Sequence, residues 1–201
     1  MASETEFLND ALGQIGQGPI TNIQDGSQAA NWCRTFWPPL RRGMLRMHHW
    51  KFADTRVVLA QVVTAPLYEF AFAYALPRDL LAIREYNGTL LNLAIVSEGR
   101  WIHWEGFYKV EGDFIYTNDG EARLLYTRDI TNPDLWDPLF YQAAASWLAS
   151  KLALAIFKND DLSKGLLSQV FGMLLPQALV VDGQQGTKVA YVVDDLIWGR
   201  D

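Results

Sequence analysis

Two adjacent histidines, His48 and His49, offer the most obvious chemistry in the sequence. Imidazole binds zinc and exchanges protons near neutral pH. A zinc site needs three or four converging ligands, but neighbouring side chains diverge by about 100° on a helix and point to opposite faces of a strand. His103 is the only other imidazole. We therefore expect no metal site and no other cofactor, and we interpret the pair as a helix end, where an imidazolium interacts favourably with the helix dipole.

A second candidate combines acids with aromatic rings in the middle of the chain. The acids are Glu105, Glu111, Asp113 and Asp119, and the rings are Trp101, Trp104, Phe107, Tyr108 and Tyr116. Paired acids are typical of glycoside hydrolases, although no spacing holds these acids together. Two alternatives stay open: a peptidoglycan hydrolase that uses Glu105 or Glu111, and a glycan- or receptor-binding module that stacks sugars on Trp101 and Trp104.

Motifs of other enzyme classes are missing from the sequence. There is no G-x-S-x-G motif, no phosphate-binding glycine loop and no Ser/His/Asp set in a supporting context. The single cysteine, Cys33, excludes an internal disulfide and a cysteine metal cluster, and its apolar neighbours predict a core position. We therefore expect a protein that is not an enzyme.

The charge of the chain argues against nucleic-acid binding. The formal net charge is −6 and the pI is about 5.0, whereas affinity for DNA comes largely from Lys and Arg. Eight Trp, eight Tyr and ten Phe are more rings than one core of this size needs, so we expect some of them at contacts with partners.

No segment of the sequence predicts a membrane span. The first six residues are polar and acidic, unlike a signal peptide. The most apolar run, residues 143–157, contains Lys151 and is shorter than a bilayer span. We expect a soluble protein that is synthesised in a cytoplasm.

Helical patterns frame the N-terminal part of the chain. The first helix is predicted over residues 5–15, where apolar side chains recur on one face. A second helix is predicted from the N-cap Ser27 towards His48, and Pro38-Pro39 inside it predicts a kink or two abutting helices. After this helix we interpret residues 48–52 as a corner that turns the chain into the next region, with Trp50 and Phe52 packed inward.

Helices are predicted again after residue 130. Residues 132–133 and 137–138 each place a capping residue before a proline at the first helical position. The main helix then runs to about residue 157. A further helix is predicted from residue 160 or 161 to Pro176, where we expect the proline to stop it. Its apolar side consists of Leu162, Leu166, Val170 and Leu174.

Short β-rich runs separate these helices. Strands are predicted over residues 57–63, 70–74, 80–86, 90–96 and 101–110. The pattern favours a hairpin between the strands 114–117 and 123–128, with its turn at 118–121. The sequence therefore predicts an antiparallel sheet with at least one solvated face.

The C-terminal residues are apolar but lack a helical period. Residues 187–201 are therefore predicted to be an extended tail. Such a tail either lies on its own sheet as an edge strand or adds a strand or an anchor to a neighbouring chain. In the second case the partner-binding residues are Tyr191, Val193, Ile197 and Trp198.

The order of elements indicates an α+β fold, a helical bundle with an inserted antiparallel β-sheet and an extended C-terminal tail. We predict one domain over residues 1–186, with helices at about 5–48 and 133–176 around a β region at about 50–130, and the tail at 187–201.

Several short motifs follow one another in a recognisable order. They are Leu-Asn-Asp-Ala-Leu at 8–12 with Ile-Gly at 15–16, Asp-Gly-Ser at 25–27, Trp-Lys-Phe-Ala at 50–53, Tyr-Ala-Leu-Pro at 74–77, Asp-Leu-Leu at 79–81, Val-Glu-Gly at 110–112 and Asp-Pro-Leu-Phe at 137–140. This ordered set, over residues 6–160, resembles the tail tubular protein A family, the head-to-tail adaptors (connectors) of short-tailed bacteriophages.

The resemblance implies a structural protein of the virion. Such adaptors form a homo-oligomeric ring, typically of twelve copies, between the portal protein and a tail nozzle similar to tail tubular protein B. Genomic DNA passes through the ring without specific binding, and no membrane is involved. The resemblance also implies synthesis in the host bacterial cytoplasm and a final location at the head–tail junction. It leaves a tail-associated hydrolase or glycan-binding module as the alternatives.

Overall fold

The structure is a computed structural model that describes residues 3–63, 66, 68–90, 96–97, 100–101 and 108–185, with side chains for 3–63, 66, 68–88 and 108–185. Helices occupy both ends of the described chain and antiparallel strands occupy the middle. The predicted α+β class is therefore confirmed. The predicted tail, residues 187–201, lies outside the described residues.

The first two helices begin at side-chain caps. Helix α1 covers Glu4–Gly13, and Ser3 forms a capping box with Glu6. Helix α2 covers Gln28–Met47, and the Ser27 hydroxyl accepts a hydrogen bond from the Ala30 amide. The predicted helices are therefore confirmed, with small shifts at their ends.

Helix α2 continues through Pro38-Pro39. Of the two predicted alternatives, two abutting helices are therefore wrong, and a kink stays a prediction. An interior proline costs a helix about 3 kcal/mol. Side chains on both sides of the prolines pack into one core, with Trp37 and Met44 fully buried. Such tertiary packing supplies most of the stability of helices in proteins, and here it outweighs the cost of the prolines.

The C-terminal helices begin where the capping signals predict. Helix α3 covers Pro138–Phe157, and the Asp137 carboxylate accepts a hydrogen bond from the Leu139 amide at 2.8 Å. Helix α4 covers Asp160–Gln169. A short 3₁₀ turn at Pro133–Leu135 precedes α3.

Pro176 does not stop the helix that contains it. A π-helical turn at Val170–Leu174 joins α4 to helix α5, Leu175–Gln184, so residues 160–184 form one continuous helical rod. Proline costs little in the first turn of an α-helix, where its amide needs no partner. The π turn changes the hydrogen-bond spacing just before Pro176 and places the proline in that position.

The described strands form antiparallel sheets. The strands are β1 Asp54–Val58, β2 Phe72–Ala75, β3 Leu80–Tyr86, β4 Thr89–Leu90, β5 Val96–Ser97, β6 Arg100–Trp101, β7 Tyr108–Glu111, β8 Phe114–Thr117 and β9 Arg123–Arg128. One sheet has the order β1-β9-β3-β4, a second has the order β2-β8-β7, and β5 pairs with β6.

The strand prediction over residues 80–86 is confirmed by β3. The strand predicted over 57–63 lies earlier, as β1, and the one over 70–74 lies slightly later, as β2. The strands predicted over 90–96 and 101–110 fall largely outside the described residues.

The predicted hairpin of 114–117 with 123–128 is wrong in its pairing. Both strands exist, as β8 and β9, but they belong to different sheets. Strand β8 pairs with β7 through a tight turn at Gly112, whose φ is 58°, and β9 pairs with β1 and β3. Ile115 on β8 and Leu124 on β9 belong to one buried cluster between the sheets, so each strand buries its apolar face against the other sheet.

The helices share one large core. Many of the aromatic side chains lie inside this core. Phe7, for example, packs between Trp37 and Trp136, with ring centroids 4.3 Å and 5.2 Å away. Phe140 continues this cluster towards the corner, 5.0 Å from Trp50. The core therefore absorbs more rings than the sequence suggests.

Candidate partner-binding surfaces

The four predicted partner-binding residues are Tyr191, Val193, Ile197 and Trp198, and all lie outside the described residues. Their role stays a prediction. The structure does describe the point from which this segment departs, since α5 ends at Gln184.

A buried carboxylate fixes the end of α5. The Asp182 side chain is 2% exposed, and its Oδ2 lies 3.1 Å from Nε2 of His48. Its Oδ1 accepts a hydrogen bond from the Lys51 amide at 2.8 Å. The last turn before the C-terminal segment is therefore attached to the corner at residues 48–52.

The interpretation of the histidines as part of a corner is confirmed. His48 leaves the helical conformation at the end of α2, and its ring lies edge-on to Trp50. Trp50 is fully buried and donates its ring N–H to the Met44 carbonyl at 2.8 Å. Phe52 packs against the same core, so these rings join the helical bundle to the first strand.

His49 faces a different acid. Its Nε2 lies 2.9 Å from Oδ2 of Asp54, at the start of β1. Burial lowers the pKa of His49 and raises the pKa of Asp54, and it outweighs their mutual attraction. The two histidines thus have separate partners, and no group of three or more metal-ligating side chains occurs among the described residues.

Arg84 on β3 also contacts the corner at residues 48–52. It donates to the His48 carbonyl at 2.7 Å and to the Thr127 hydroxyl at 2.7 Å. The first contact satisfies a carbonyl at the C-terminal end of α2, and the second holds the guanidinium to β9. Burial lowers the pKa of Arg84. These contacts are structural, and none leaves a group aimed at an open site.

The acids of the predicted glycan site have different surroundings. Glu111 is exposed and pairs with Lys109 at 2.8 Å, whereas Asp119 accepts a hydrogen bond from the Tyr86 hydroxyl at 2.6 Å. Asp113 is exposed in the β7–β8 turn. The side chains of Glu105, Trp101, Trp104 and Phe107 lie outside the described ones. The structure therefore gives Glu111 and Asp119 different partners.

The rod of residues 160–184 carries a surface that the sequence analysis missed. The predicted apolar side packs inward, with Val170 and Leu174 buried. The opposite side also exposes apolar side chains. This apolar stripe consists of Met173, Val180 and Val181, whereas the half-exposed Phe171 contacts α3, where its ring lies 4.9 Å from that of Trp147. The signal that could have revealed it is a run without charge, since no Asp, Glu, Lys or Arg occurs between Lys164 and Asp182.

Two helices are long and apolar enough to cross a bilayer by length and composition alone. The statement that the apolar run at 143–157 is too short is wrong, because it belongs to the 20-residue helix α3. However, 56% of the most apolar 18-residue stretch of α3 is buried inside the protein, whereas only 22% of the corresponding stretch of the rod is buried. Helix α3 is therefore a core helix, and the rod is the less covered of the two.

Single exposed apolar side chains also lie at the edges of two sheets. Strand β1 ends one sheet and exposes Val58, and β7 ends the other sheet and exposes Val110. The edge of a sheet presents unpaired backbone groups that can accept a strand from another chain. The described residues thus carry apolar surface on the helical region and on the β region.

Neither a protein-family model nor a curated protein matches this chain.

Proposed function

We propose that the protein is a structural component of a bacteriophage virion, the head-to-tail adaptor. In this proposal about twelve copies form a ring between the portal and the tail nozzle, and genomic DNA leaves the capsid through the ring. The motif order from residue 6 to 160 first suggests this function. The observation that carries it furthest is the presence of two unlike exposed apolar surfaces, the stripe and the sheet edges, on one chain.

A ring is built from heterologous interfaces, in which two different patches of each copy meet. Soluble monomers rarely expose large contiguous apolar patches, so such areas commonly mark contacts. The apolar stripe and the edge strands β1 and β7 belong to different parts of the fold. A chain with two such surfaces is suited to contact a partner on each side.

The charge of the chain suits a DNA conduit. Each copy contributes a net charge of −6, and DNA binding depends on cations that release counterions from phosphate. A ring of acidic subunits therefore retains DNA weakly. We assign the helical bundle and the C-terminal segment to the portal and the β region to the nozzle or to neighbouring copies.

The test is native mass spectrometry of the purified chain, alone and mixed with the portal protein of the same virus. We expect a discrete complex of one portal with about twelve copies of this chain. Val58→Asp places a charge on the edge strand β1 and should reduce the number of copies bound. A wild-type chain that stays monomeric and ignores the portal contradicts the proposal, as does turnover of cell wall that is lost in Glu111→Gln.

A further inference from the structure

The apolar stripe is unusual for a surface that faces water. Met173 is about half exposed, and Val180 is 59% exposed. No charged side chain interrupts the rod from residue 165 to residue 181, whereas a typical surface helix has charged residues opposite its apolar face. Only one side of the rod packs on the protein, through Val170, Leu174 and their neighbours.

The chain itself continues directly from this rod with a complementary sequence. Residues 186–201 begin two residues after the end of α5. This segment is rich in apolar side chains, which fall into two groups, 189–193 and 196–198. An uncharged helical surface suits such groups better than a charged one, because no ionised side chain has to be buried.

The length of the segment also suits the stripe. Sixteen residues span at most about 50 Å when extended, and the 25-residue rod is about 37 Å long at 1.5 Å per residue. The segment can therefore run back past Val181 and Val180 and reach Met173. Asp182 holds the last helical turn to His48 and Lys51, so the segment starts from a fixed point beside the stripe.

We propose that, in the free chain, residues 187–201 lie along the apolar stripe of the rod that they follow. Attachment to the same chain gives the segment a high effective concentration at the stripe, which neither a second copy nor a bilayer has. The contact goes beyond the adaptor function and regulates it, because the anchoring side chains Tyr191, Val193, Ile197 and Trp198 are then occupied. A portal or neighbouring copy has to displace the segment before it can bind these side chains.

The two exposed methionines allow a direct test. Met173 lies in the stripe and is 47% exposed, while Met47 lies outside it and is 48% exposed in the structure. Low-dose oxidation followed by mass spectrometry compares the two side chains within one sample, because methionine oxidises to its sulfoxide according to its accessibility. Fully buried Met44 reports that the protein remains folded.

In the chain of 201 residues we expect Met173 to oxidise several-fold more slowly than Met47, at concentrations where the protein is monomeric. In a chain that ends at Gln185 we expect the two rates to become similar. A synthetic peptide of residues 186–201 should restore the protection of Met173 in a saturable way.

A matched pair of variants tests the proposal without truncation. Val180→Asp places a charge in the stripe and should expose Met173 in the full chain and weaken peptide binding at least tenfold. Val58→Asp changes a side chain on β1 of nearly equal exposure, since Val58 is 60% exposed and Val180 is 59% exposed. This control should leave the oxidation rate of Met173 and the affinity for the peptide unchanged.

Three results would overturn the proposal. Equal oxidation of Met173 and Met47 in the full chain means that nothing covers the stripe. Protection in the chain ending at Gln185 that rises with protein concentration means that a second copy covers it. Protection that appears only with phosphatidylglycerol vesicles, in both chain lengths, means that a lipid surface covers it. These results are independent of portal binding, which the native mass spectrometry measures separately.

Discussion

The helical region and the β region are held together in different ways. Of the twelve largest fully buried side chains among the described residues, Ile115 alone belongs to the β region. The β region depends more on tyrosine hydroxyls, since Tyr86 bonds to Thr117 and Asp119, and Tyr126 bonds to Asp79. Burial raises the pKa of Tyr126 to about 12, so its hydroxyl stays protonated and can donate.

The difference indicates which region can change shape at a contact. Burial of apolar side chains is the largest favourable contribution to folding, whereas a hydrogen bond adds only about 1 kcal/mol net. The helical region is therefore the stable support, and the β region is the part that can adjust to a partner. The predictions below test this contrast, from the largest expected effect to the smallest.

The largest effect is expected in the helical core. Trp37 is fully buried against Phe7 and Trp136, and Trp37→Ala should lower the free energy of unfolding by about 3–5 kcal/mol. Ile115→Ala, in the smaller β core, should cost about 2–3 kcal/mol because fewer buried atoms are removed. Urea denaturation of both variants measures the two costs. A larger loss for Ile115→Ala would reverse the contrast between the regions.

The second effect concerns the ion pair that joins the two regions. Asp129, just after β9, accepts hydrogen bonds from Arg41 at 2.8 Å and from Arg42 at 3.0 Å, both on α2. Burial raises the pKa of Asp129, but the two guanidinium groups outweigh it and hold the pKa below its usual value. Asp129→Asn leaves the buried Arg41 without its charge partner and should cost about 3 kcal/mol.

The sign of the pH dependence follows from the lowered pKa of Asp129. A carboxyl with a depressed pKa contributes stability above its unfolded value, about 4. That contribution is lost as the pH falls through the folded value. Wild type should therefore lose stability below about pH 4 more steeply than Asp129→Asn. Parallel acid-denaturation curves for the two proteins would contradict this assignment.

The helices could be predicted from the sequence because their signals are local. Ser27 and Asp137 act as caps where the sequence predicts them, and the buried face at Val170 and Leu174 follows the helical period. The pairing of strands could not be predicted in this way. Residues 114–117 and 123–128 have the pattern of a hairpin, but their partners are chosen by burial between two sheets, which depends on distant residues.

The candidate surfaces were predicted less well than the fold. The helical period identifies the buried side of the rod and gives no indication of exposed apolar side chains on the opposite side, so it does not predict the apolar stripe. Pro176 also suggested an early end to the rod, and a π turn is not visible in a pattern of apolar residues. The corner at residues 48–52 was recognised because its aromatic residues follow a helix end.

The third effect concerns the attachment of α5 to the corner. Asp182→Asn keeps the shape of the side chain but removes the charge that faces His48 and the Lys51 amide. We expect a loss of about 1–2 kcal/mol, since a buried hydrogen bond to a charged group contributes about that much. Asp160→Asn, at the exposed start of α4, is the control and should change stability by less than about 0.5 kcal/mol. Thermal unfolding of both variants measures the difference.

The smallest effect is the titration of His49, at the boundary between the regions. Burial lowers its pKa, the carboxylate of Asp54 opposes that shift, and the cations Lys51 and Arg84 lower the pKa further. The folded protein therefore binds a proton at His49 less readily than the unfolded chain does. Its contribution to stability is largest above the unfolded pKa, about 6.5, and falls as the pH drops through that value towards the lower folded one.

Removing the neighbouring acid separates these influences. Asp54→Asn deletes the attraction that favours the imidazolium, so the pKa of His49 should fall further. NMR titration of the His49 imidazole protons measures the change. A rise of the His49 pKa in Asp54→Asn would show that the Asp54 carboxylate does not favour the imidazolium.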